Sequence, residues 1–185
     1  MKMADSTTAA PACTRSAAST ARAHASTAAA EPTIYPFAAM AVSTAAVGKT
    51  YPPLTYAVGR EKIREYAFAV GETNPLHLEV QAARALGYRD VVAPPMFAAV
   101  YSSPAMGPAL FDPEVGINFA LMVHGGQEFM WGPLVIAGDE IETTVTVKDI
   151  SERSGTGFYV FESVSTNQDG ETVCVGSWSN IVRDG

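Results

Sequence analysis

Apolar and polar positions divide the chain into two textures that meet near Gly48. From Thr7 to Ala30 it is nearly all Ala, Ser and Thr, broken by Pro11, Cys13, Arg15, Arg22 and His24. Large apolar residues are absent there, so burial cannot offset the entropy of ordering the segment. From Gly48 onward the pattern becomes structured. Tyr51 to Val58 reads as a short extended segment with a Pro-limited start at Pro52-Pro53. Gly59 to Val70 predicts a helix, with Ile63, Tyr66, Ala67 and Val70 on one face and Arg60, Glu61, Lys62, Arg64 and Glu65 toward water. Gly71 is its stop. An Asn74-Pro75 loop and a short helix from Leu78 to Leu86 follow, ending at Gly87. After Pro94-Pro95, the apolar run Met96 to Tyr101 predicts a helix buried on every side, with proline tolerated in its first turn. A Pro- and Gly-rich crossing from Pro104 to Gly116 leads on.

The remainder predicts strands. Asn118 to Trp131 is the first. In Ile141 to Ile150, Ile141, Thr143, Val145 and Val147 alternate with Glu142, Thr144, Thr146 and Lys148. Gly157 to Thr166 is rich in aromatic and β-branched residues. Asn167-Gln168-Asp169-Gly170 signals a hairpin turn into Glu171 to Val182. One strand, then helices, then an antiparallel meander makes an α+β layout, with helices gathered on one face of the sheet.

Composition narrows the function classes. The 185 residues carry a formal net charge of -7, which argues against nucleic acid as a partner. No apolar run is long enough to span a bilayer. Cys13 and Cys174 form no C-x-x-C pair, so neither a zinc site nor a disulfide framework is expected. A reduced cytoplasmic protein is the default. The leader, residues 1–47, has three open readings: a disordered tail, a transit-like segment, or translation upstream of a true start at Met40.

The stretch that carries chemistry is Gly71-Glu72-Thr73-Asn74-Pro75-Leu76-His77. It resembles the signature of the MaoC-like family of (R)-specific enoyl hydratases and (3R)-hydroxyacyl-ACP dehydratases. That signature is an acidic residue, any residue, Asn-Pro, an aliphatic residue and His. Four further stretches are similar to the family's: Arg60 to Val70, its first helix; Tyr88 to Phe97, leading into its central helix; Val123 to Phe129, on a long strand; and Pro133 to Asp139, in the following turn. The resemblance implies a single hot-dog domain over residues 48–185, an antiparallel sheet wrapped around a central helix. It implies a dimer, of identical or related subunits, acting on acyl-CoA or acyl-ACP in fatty acid metabolism without metal or redox cofactor. It implies Glu72 and His77 as the catalytic pair, with Asn74, Pro95, Met96, Phe97 and His124 around the substrate.

The chemistry accounts for these residue types. Dehydrating a 3-hydroxyacyl thioester removes a proton from C2 and hydroxide from C3. An imidazole and a carboxylate can trade protons with a shared water or hydroxyl near neutral pH. The thioester oxygen gains negative charge and needs N–H donors. Asn74 on its own reads as a turn-former, and His124 as a strand-end histidine that is structural or lines the channel. Arg60, Lys62, Arg64, Arg84 and Arg89 read mostly as a solvated helical face. Two positions depart from the family. Glu72 stands where Asp is usual. Ala93-Pro94-Pro95-Met96 stands where hydratases carry His-Gly-Met, so the oxyanion donor either shifts to Met96 or Phe97 or is missing, since proline has no N–H. The Ala-Pro-Pro-x-Phe form is similar to the channel-shaping subunit of two-subunit hydroxyacyl-ACP dehydratases, which lacks the catalytic pair. Three activities stay open: dehydratase, non-catalytic channel subunit, or another thioester reaction such as hydrolysis.

Overall fold

A computed structural model describes residues 42–183. Residues 1–41 of the expected leader, with Met40 and His24, lie outside the described residues, whereas its last residues, 42–47, are described. Five strands form one antiparallel sheet in the order β1-β3-β4-β5-β2. They are β1 (Leu54–Ala57), β2 (Met122–Trp131), β3 (Glu140–Arg153), β4 (Thr156–Thr166) and β5 (Thr172–Arg183). Between β1 and β2 run the helices α1 (Arg60–Ala69), α2 (Pro75–Leu78), α3 (Val80–Ala85), α4 (Ala98–Ser102) and α5 (Gly107–Leu110). This is the hot-dog arrangement, an α+β domain with its sheet around a central helical segment.

Alternation in β3 and β4 decides which face is covered. Ile141, Thr143, Val145 and Val147 point inward, as do Tyr159, Phe161, Ser163 and Ser165 across the β3–β4 pair. A bulge between Val147 and Asp149 adds Lys148 and resets the phase, so Ile150 is buried too. Ahead of Gly48, Val42 packs against this core and Ala46 is buried within it.

The central segment is a chain of short pieces instead of one helix. Pro95–Phe97 is a 3-10 turn, α4 follows, Ser103–Met106 is a second 3-10 turn, and α5 closes the run. Pro104 and Pro108 supply no N–H, so a continuous α ladder cannot run through them. Nor is it buried on every side: Phe97 and Ala98 are buried, but Met96 is 46% exposed. In α1, Ile63 and Ala67 are buried as expected, whereas Val70 is 56% exposed because it is the C-cap, past the helical face. The expected strand from Asn118 begins only at Met122, because Phe119–Leu121 forms a 3-10 turn capped by the Asn118 side chain.

Gly176 is required by close approach. A Cβ there would lie 2.6 Å from Ser163 Oγ, 2.8 Å from Phe129 and 2.9 Å from Trp178 Nε1. The same contacts include the buried bond from Trp178 Nε1 to Ser163 Oγ, 2.8 Å. Gly176→Ala is expected to cost about 1–3 kcal/mol through overpacking. Denaturant unfolding checks this; a midpoint equal to the parent's would show that the sheet yields freely there.

Candidate functional site

The loop after α1 builds the site. Gly71 ends the helix, and Glu72 turns back on the chain that follows. Its Oε1 accepts hydrogen bonds from Thr73 N at 2.8 Å and Asn74 N at 2.9 Å. The Asn74 N–H, then that of Thr73, hold the Glu72 carboxyl below the usual carboxylate range. Partial desolvation opposes this, and His77 assists it. Asn74 caps α2, its Oδ1 accepting from Leu76 N at 3.0 Å, and Pro75 occupies the first turn where no N–H is needed. This cap accounts for Asn74 as a turn-former.

His77 sits in α2, 8% exposed. Its Nδ1 lies 2.7 Å from the Val92 carbonyl oxygen. A carbonyl only accepts, so Nδ1 carries the proton, and the basic lone pair of the imidazole is the one on Nε2. The same Val92 peptide returns its own N–H to Leu76 O at 3.2 Å. The helical turn and the 91–93 strip are thus zipped together on both sides of Val92.

Beyond Val92 the strip opens on a cavity of about 370 Å³, whose walls include Ala93, Pro95, Ala98, Tyr101, Trp131 and Val173. It falls in the size range of ligand pockets, about 300–1,000 Å³. Its walls are almost wholly apolar side chains. Trp131 Nε1 donates to Pro95 O at 2.9 Å and holds the turn beside it. Burial pushes the hydroxyl of Tyr101 and the thiol of Cys174 upward, so both stay neutral.

Pro95 is in the cavity wall, and Met96 is exposed next to it. Phe97, expected at the substrate, is wholly buried against Tyr56, Tyr66 and Tyr101 and is not among the lining residues. Its N–H is bonded to Pro94 O at 2.9 Å and is therefore engaged within the turn. His124 is exposed at a bulge of β2, its ring 6.2 Å from Trp178. The cations of the first helices are engaged: Arg60 with Asp90, Lys62 with Glu65, Arg64 with Glu61 and Arg89 with Asp139. Among the described residues no group of three His, Cys, Asp or Glu could hold a metal ion. No helix of the described residues is long and apolar enough to cross a membrane.

Sequence reasoning missed the Val92 carbonyl that holds the His77 ring, which no residue type signals.

Comparison with known proteins adds an independent line. Residues 45–175 match the family model of the FAS1-like dehydratase domain region. A UPF0336 protein of Saccharopolyspora erythraea is 42% identical over 138 residues, covering 74% of this chain and 88% of that protein. A chain of the HadBC (3R)-hydroxyacyl-ACP dehydratase complex from Mycobacterium tuberculosis aligns with TM-score 0.65 and 29% identity, over 75% of this chain and 98% of its own length. A MaoC-like dehydratase aligns with TM-score 0.68 and 30% identity, over 76% of this chain and 43% of the longer partner.

Proposed function

We propose, from the premise that this chain belongs to the FAS1-like dehydratase-domain family, that it catalyses reversible dehydration of a (3R)-hydroxyacyl thioester to the enoyl thioester. The observation that carries this reading is the His77 ring, buried and fixed through Nδ1 on the Val92 carbonyl, in the same loop-and-turn as an ionised Glu72 whose charge it favours. A base held in one tautomer with a free Nε2 suits proton abstraction at C2. The ionised Glu72 is an acceptor, so its free oxygen would hold the 3-hydroxyl or a water in place.

In the dehydration direction, Nε2 takes the C2 proton and the electron pair moves toward the thioester oxygen. The pair then returns to form the C2–C3 double bond as hydroxide leaves C3. The imidazolium gives its proton to that hydroxide, so water departs and His77 is neutral again. The Met96 N–H is the donor proposed for the transient thioester oxyanion. The apolar cavity would take the acyl chain.

The quaternary expectation also has a physical basis. The ten-residue β2 bonds β5 on one side, and its other edge has no strand neighbour among the described residues. Val123, Met130 and Trp131 along it are each more than half exposed. Such an edge is a template for pairing, and we infer a dimer formed along it.

One observation favours a second reading, a channel subunit that needs a catalytic partner: Pro94 and Pro95 remove two N–H donors beside the cavity. Incubating the purified chain alone with a (3R)-hydroxyacyl-CoA separates the readings. Growth of enoyl absorbance supports the dehydratase. Release of free thiol assigns hydrolysis instead. No reaction until a related subunit is added assigns the channel role.

A further inference from the structure

Asp139 lies at the start of β3 among the most buried polar groups of the domain, 4% exposed. It gathers donors from three separate segments. Its Oδ2 accepts from Ile136 N at 2.7 Å, closing its own turn. Its Oδ1 accepts from Arg89 Nη2 at 2.5 Å and from Gln168 Nε2 at 2.9 Å, the latter in the β4–β5 hairpin. Gln168 closes the loop by accepting from Glu140 N at 3.0 Å. Gly138 gives the turn its left-handed φ of +92°, a conformation that side chains with a Cβ rarely adopt.

That turn is the far side of the strip that holds His77. Ala93 N donates to Val135 O at 2.8 Å, and Ala137 N donates to Val91 O at 3.0 Å. Val92 and Ile136 are therefore opposite each other in an isolated antiparallel bridge. Asp139 fixes the Ile136 N–H on one side of that bridge and Arg89, three residues before Val92, on the other.

We propose that Asp139 is a positioning residue for His77: by clamping the 135–139 turn to the 89–93 strip, it fixes the Val92 carbonyl that selects the His77 tautomer. The inference rests on His77 being the base of the reaction above. Asp139 is not in the cavity wall. A misplacement of about 1 Å can cost on the order of 100-fold in rate, and a loosened carbonyl is a smaller disturbance than that.

The test is nitrogen NMR of the His77 ring in the full chain, paired with kinetics. In the parent, one neutral tautomer protonated at Nδ1 is expected. In Asp139→Asn, where one amide cannot accept from all three donors, a second His77 tautomer is expected. Its kcat should fall by about tenfold while KM stays within about twofold. A His77 spectrum identical to the parent's in a folded Asp139→Asn variant overturns the proposal. Should that variant not fold, Arg89→Gln carries the test. It leaves the Ile136 bond in place and releases only the strip, and an unchanged His77 tautomer there overturns the proposal equally. The spectroscopic result is independent of activity. A parent that dehydrates nothing, yet whose His77 tautomer depends on Asp139, removes the proposed reaction and leaves the positioning role. An active parent with a His77 signal indifferent to Asp139 does the reverse.

Discussion

His77→Ala is expected to lower the dehydration rate by about 100- to 10,000-fold, the range contributed by a positioned acid–base group. The loss should fall on kcat, because in the proposed reaction the imidazole acts on the C2 proton and the apolar cavity walls are unchanged. Stability should change less. The substitution removes one buried ring and its 2.7 Å bond to Val92 O, but the Leu76 O to Val92 N bond still zips the turn to the strip. The measurement is a rate assay on (3R)-hydroxyacyl-CoA beside thermal unfolding of the same sample. A folded alanine variant within a factor of two of the parent removes His77 from the mechanism.

Glu72→Gln is expected to reduce the rate by on the order of 100-fold, at the lower end of the acid–base range. The amide oxygen can still accept from Thr73 and Asn74 N–H, so the loop should keep its shape. The negative charge beside His77 is lost, and with it the stabilisation of the imidazolium. Glu72→Asp keeps the charge and is expected to retain activity, since the family usually places Asp there. The pH dependence has a definite sign. Glu72 is held below its ordinary value, so it is mostly ionised from neutrality down to that value and acid protonates it later than a free glutamate. Acid loss of activity in that interval therefore arises from another group and should persist unchanged in Glu72→Asp. A Gln variant as fast as the parent would end the catalytic role of Glu72. Silence of both variants in a complex with a related subunit would mark this chain as the channel partner.

The elements that were legible in the sequence are those whose side chains repeat with the backbone. β3 showed its inward face because Ile141, Thr143, Val145 and Val147 recur every second residue, and a sheet face is that period. Ile150 falls out of step, and nothing in its type announces the extra residue at Lys148 that brings it back. α1 was legible through Ile63 and Ala67, while its end was not: Val70 continues the apolar spacing although the helix has already stopped. The Met96 to Tyr101 run showed burial but not the broken axis, since an apolar run looks alike in a 3-10 turn and an α-helix. In the site, a motif of side chains pointed to Glu72 and His77. What orients them is main chain, and the Asp139 clamp joins residues 89, 136 and 168 that only folding brings together.

That His77 is oriented by a carbonyl oxygen has a consequence for how such a site changes over generations. Every amino acid at position 92 carries that acceptor, so no point mutation there deletes it. Every residue except proline at 73 and 74 likewise retains the N–H that Glu72 accepts. The atoms that aim the pair are therefore sheltered from substitution, and drift can reach the aim only by displacing backbone. The reactive side chains have no such shelter. Lineages of this fold can lose the chemistry in one step at 72 or 77 while keeping the cradle intact. A silent subunit would then still carry a correctly shaped socket, ready to regain function by a single reverse change.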